Sequence, residues 1–64
     1  MNFNKELLLL YLDSDLSQYD FAKKTRQSFS SINHWLNNHQ DMTFKKFEEV
    51  CKNLNLKLTI TIEQ

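Results

Sequence analysis

Glycine and proline are both absent from the 64 residues, so no local punctuation marks the ends of its elements and their boundaries must be set by caps. The single cysteine excludes an internal disulfide, and no Cys/His cluster has zinc-finger spacing. Neither of the usual staples of a small domain is therefore available, and self-association is the remaining support. Long hydrophobic runs are missing too: the apolar stretch at 7–12 is far short of the roughly 20 residues of a membrane span, and shorter than a typical signal-peptide core. Together with the cysteine usage, this gives the expectation of a soluble cytoplasmic protein. Net charge is lacking as well, with eight basic and eight acidic side chains.

Serine, histidine and aspartate all occur, but no nucleophile–base signature or phosphate-cradling loop organises them. His34 and His39 stand five apart, a poor spacing for metal ligands on one helix. The expectation is a non-enzyme with no catalytic residue, no metal and no cofactor.

What is present predicts one small domain spanning residues 1–64, mostly α, with four helices and one C-terminal β-strand. A chain this short buries only roughly 60% of the surface its unfolded form exposes, so its core is marginal. Ser17 reads as a helix cap with Asp20 at the third helical position, and Leu16 is placed to staple against Phe21. Thr43 repeats the device, with Met42 against Phe47. Helices are predicted over residues 4–12, 18–25, 29–37 and 44–54. The predicted core takes Leu8, Leu9 and Leu12, then Phe21, Ala22, Ile32 and Trp35. The fourth helix adds the stripe Phe44, Phe47, Val50, Cys51 and Leu54.

After the fourth helix the period changes. Leu56, Leu58, Ile60 and Ile62 alternate with Lys57, Thr59, Thr61 and Glu63, which predicts a strand over about 57–62. No comparable run exists elsewhere in the chain, so its partner must be a short N-terminal extension or another chain. The ending LKLTITIEQ reads as a finished strand rather than a linker, which argues against an N-terminal piece of a larger regulator.

The charge is neutral in sum but unevenly spread. Residues 1–16 carry Lys5 against Glu6, Asp13 and Asp15, whereas residues 17–40 carry Lys23, Lys24 and Arg26 against Asp20 alone. The positive segment is also the one that reads as two short helices joined by a tight turn, the second with a polar, sparsely charged face sized for a DNA major groove.

Its layout is Gln18 opening the second helix, Phe21-Ala22 in its middle, a short turn, then Ser28 followed by Ile32. This resembles the Cro and phage-repressor (XRE) type of helix-turn-helix, and the likeness extends through Leu36-Asn37-Asn38 and the apolar helix TFKKFEEVCKNLNL, over roughly residues 5–56. Two departures stand out. The family commonly places glycine in the turn, where this chain has Arg26; that position either turns left-handed at some cost or the turn differs. Glycine is also common after Asn37, where this chain has Asn38, a tolerant substitute.

The resemblance implies that the third helix lies in the major groove of double-stranded DNA, with Phe29, Ser30, Asn33 and His34 toward base edges. Phe29 is equally open to a core role. Gln18, Ser28 and Asn37 would contact phosphate, with Lys23, Lys24 and Arg26 as further phosphate candidates. The function expected is transcription regulation: a Cro-like repressor of the phage or mobile-element kind. It would bind a palindromic operator as a homodimer, joined through Leu58, Ile60 and Ile62. The rival expectation is a protein-interaction module on the same scaffold, such as an antitoxin or an inhibitor of another protein, with a toxin or another regulator as its protein partner.

Overall fold

The computed structural model describes residues 2–56, which form four helices: α1 Asn4–Ser14, α2 Gln18–Thr25, α3 Phe29–Leu36 and α4 Phe44–Asn53. Among the described residues there is no strand, and the expected one over 57–62, with Leu58, Ile60 and Ile62, lies outside them. Three of the four helices start where a hydroxyl can accept from an orphan amide. Ser17 accepts from Asp20 N–H, Ser28 from Ser31 N–H and Thr43 from Lys46 N–H.

The helix ends show how a chain without glycine stops a helix. Asp15, Arg26, Asn38 and Asn55 all have φ near 60°. After α2, Gln27 N–H bonds to Ala22 C=O (3.0 Å) and Arg26 N–H to Lys23 C=O (3.3 Å), the paired bonds of a Schellman motif. His39→His34 with Asn38→Trp35 close α3 in the same way, and Leu56→Cys51 with Asn55→Lys52 close α4. Asp and Asn tolerate this left-handed backbone, whereas a long side chain such as Arg26 bears the steric cost of about 1–2 kcal/mol. Of the two possibilities at Arg26, the left-handed turn is the one adopted. Replacing Arg26 with Gly should therefore raise stability by about 0.5–1 kcal/mol, once the greater freedom of unfolded glycine is subtracted. Urea unfolding checks this, and a lower midpoint would show that Arg26 contributes more than its backbone costs.

α3 packs against α2 and α1, and α4 packs against α2. Their shared core is Leu7, Phe21, Ala22, Ile32, Trp35, Met42, Phe47, Val50 and Cys51. Ala22 and Ile32 both lie inside it, as the small-against-large layout of the two central helices requires. Met42 and Phe47 are both buried, and Leu16 packs against the core from its edge. Burial pushes the Cys51 thiol above its ordinary pKa, leaving it protonated as a small hydrophobe.

The first helix corrects the expectation. Leu8, Leu9 and Leu12 are 37%, 58% and 63% exposed, while Leu7 is fully buried and Leu10 and Tyr11 pack at the core margin. Four consecutive leucines give no periodic signal, so another residue sets the rotation of the helix. That residue is Asn4. It is buried, its Nδ2 donates to Gln40 C=O (2.8 Å) and Asn38 Oδ1 (3.1 Å), and its Oδ1 accepts from Met42 N–H (2.7 Å). Asn4, Leu7 and Tyr11 share one face at helical spacing, so anchoring Asn4 to the 38–42 loop turns Leu7 inward.

Phe44, expected on the buried stripe of α4, is a rim residue, 43% exposed, its ring 5.5 Å from Phe3. Phe3 in turn stacks on Phe47 at 5.0 Å, joining the starts of α1 and α4.

Candidate nucleic-acid interface

Two buried residues, Ile32 and Trp35, fix how α3 sits on the domain. With those two inward, helical geometry turns Ser30, Asn33 and His34 outward and leaves Phe29, one turn before Ile32, at the margin. The structure has Phe29 48% exposed, Ser30 and His34 exposed, and Asn33 half-buried. Of the two roles open to Phe29, burial in the core is excluded.

Asn33 is not isolated. Its Nδ2 donates to Gln18 Oε1 at 3.0 Å, linking the middle of α3 to the first residue of α2. One amide hydrogen and Oδ1 of Asn33 stay free, enough for a bidentate pair with a base edge. Gln18 keeps both hydrogens of its own amide, a donor suited to a phosphate oxygen. Sequence spacing could not reveal this pair, because it depends on how α2 and α3 cross.

Ser28 accepts from Ser31 N–H (3.0 Å) and donates its own hydroxyl proton to Ser31 Oγ (2.9 Å). What the N-terminus of α3 offers an anion is therefore its free first-turn amides rather than the Ser28 hydroxyl. Asn37 is exposed at the far end, with Nδ2 donating to Asn33 C=O at 2.9 Å and one hydrogen left over. Lys23, Lys24 and Arg26 are exposed on the last turn of α2 and in the turn that follows. Among the described residues the one ion pair is Lys46–Glu49 on α4 (3.7 Å), so these three cations are not neutralised by a carboxylate there.

The turn itself is held from behind. Thr25 is buried and donates Oγ1 to Phe21 C=O (2.8 Å), and Asn53 Nδ2 on α4 donates to Thr25 C=O (2.7 Å). Gln27 Nε2 reaches Glu49 Oε1 at 2.9 Å. α4 thus fixes the end of α2, and the angle between α2 and α3 is set by contacts on both sides. None of Thr25, Asn53 or Gln27 was singled out by sequence. Each is a polar residue whose role depends on a neighbour distant in the chain.

His34 and His39 bring their rings to 6.0 Å through the closing turn of α3. Among the described residues no cluster of three or more potential ligands could hold a metal ion. No described helix is long and apolar enough to cross a membrane.

Two short helices crossed at a tight turn, the second with a polar outer face and a cationic shoulder beside it, define a helix-turn-helix nucleic-acid-binding domain. The helix-turn-helix family HTH_3 matches residues 7–60, and the chain belongs to this XRE-type family. It is accordingly a DNA-binding regulator of that type. No curated protein and no solved structure matches the chain.

Proposed function

We propose that the protein is a sequence-specific, Cro-like repressor of the phage or mobile-element kind that binds a palindromic operator as a homodimer. The observation that carries this reading is the outer face of α3, where Phe29, Ser30, Asn33 and His34 lie together with no lysine, arginine or carboxylate among them. Such a face suits hydrogen-bonded and methyl contacts to base edges rather than a purely electrostatic grip. Gln18, the first-turn amides at Ser28, and Asn37 hold phosphates around it, and Lys23, Lys24 and Arg26 add charge on one side.

A palindromic site needs two recognition helices about one DNA turn apart, roughly 34 Å, and hence two copies of the chain. The alternating segment 57–62 supplies a route: antiparallel pairing with its equivalent around a two-fold axis would bury Leu58, Ile60 and Ile62 of both copies. Ile60→Pro removes a backbone donor from that pairing. Sedimentation equilibrium should find a wild-type dimer and an Ile60→Pro monomer with helical content unchanged, and the monomer should bind its operator much more weakly. A wild type that stays monomeric at high micromolar concentration and on DNA contradicts the strand-mediated dimer.

A further inference from the structure

α1 is apolar on both sides. Leu7, Leu10 and Tyr11 face the core, while Leu8, Leu9 and Leu12 form a second stripe on the outside. Leu8 and Leu12 are neighbours at i,i+4 and Leu9 and Leu12 at i,i+3, so the three make one continuous patch. A helix with apolar residues on two opposite faces ordinarily has both of them covered. The chain does place polar residues outward where it needs them: the exposed side of α4 carries Lys45, Glu48, Glu49 and Lys52.

The border of the stripe indicates what covers it. Glu6 and Asp13 are both exposed and lie one turn to either side of Leu9, forming an acidic edge along the patch. Lys5 is the one cation of α1, at the N-terminal end of the stripe. An acidic edge repels phosphate, so this face is not a DNA surface. Two copies of the face would bring acidic edges together, which disfavours self-pairing. The complementary surface is apolar with a cationic border. The helix rises about 16 Å over its length, enough to seat roughly three turns of a partner helix whose anchors recur at helical spacing.

We propose that the outer face of α1 docks a basic amphipathic helix of a second protein, with leucine-class side chains against Leu8, Leu9 and Leu12 and lysine or arginine against Glu6 and Asp13. The surface is separate from the outer face of α3, so docking and DNA binding are compatible, and neither depends on the other.

The test uses the full chain and two synthetic helical peptides with the same leucine pattern, one bordered by lysine and the other by glutamate. Fluorescence anisotropy gives affinity, and amide shifts in NMR spectra locate the site. The lysine-bordered peptide should bind about tenfold or more tighter than its twin at low salt, lose that advantage as salt rises, and shift amides of residues 5–13. Leu9→Gln with Leu12→Gln should weaken it by about tenfold or more, with the unfolding midpoint and DNA affinity unchanged. Glu6→Gln with Asp13→Asn should abolish the difference between the peptides while retaining apolar binding. Equal binding of both peptides to the native chain overturns the proposal, as do shifts elsewhere or no binding. A dimer that the leucine variant dissociates would make a second copy the occupant, and a leucine variant that unfolds would make the stripe part of the domain's own packing. Either result also overturns it.

Discussion

Asn4→Ala should destabilise the domain by about 2–4 kcal/mol, a large fraction of the roughly 3–10 kcal/mol expected for a chain of this length. The Asn4 side chain makes three hydrogen bonds to the 38–42 loop, and its removal strands the buried Met42 N–H and takes away the part-buried donor of the Gln40 carbonyl. Burying unpaired backbone groups costs more than losing a surface bond, which is why this substitution should exceed any on the exposed faces. Thermal unfolding followed by circular dichroism should show a midpoint lowered by about 10–25 °C. A loss below about 1 kcal/mol would mean that water replaces the carboxamide and that Asn4 does not set the rotation of α1.

The second large effect concerns DNA. Substituting Ser30, Asn33 and His34 together with Ala should abolish discrimination between operator and random duplex, each position contributing roughly 1–3 kcal/mol where its contact is bidentate. Gln18→Ala alone should weaken all sequences in common, by removing a phosphate donor. Because Asn33 donates to Gln18 at 3.0 Å, the two residues are coupled, and the double variant should cost less than the two single effects added. Competition binding against a panel of single-base operator variants measures all three. Unchanged base preference in the triple variant would remove α3 from the major groove.

Much of this domain can be read from its sequence because its signals are local. Ser17, Ser28 and Thr43 announce their helices by a hydroxyl three residues before an orphan amide, and the structure has all three hydroxyls accepting there. The buried face of α3 follows from Ile32 and Trp35, and its outer face follows by subtraction. At Arg26 the sequence left open a left-handed backbone or a different turn, and at Asn38 it offered a residue tolerant of positive φ; both positions are left-handed.

What escaped was decided by contacts far apart in the chain. The consecutive leucines of α1 fit any rotation of the helix, and the choice is made by Asn4, whose partners stand 34 to 38 residues away. A polar residue beside apolar ones reads as solvent-facing until its partners are known. The Gln18–Asn33 pair, the Asn53 bond to Thr25 and the Gln27 bond to Glu49 escaped for the same reason. The candidate base contacts could be named from the family resemblance, but the hydrogen bond that ties Asn33 to Gln18 could not.

The central claim is that the outer face of α3 reads a symmetric DNA sequence, and selection from a random duplex pool at low salt tests it most directly. The native chain should enrich sequences with two half-sites related by a dyad, their centres about 10 base pairs apart. The variant lacking Ser30, Asn33 and His34 should enrich none of them. A native chain that enriches nothing over the input pool would contradict the account.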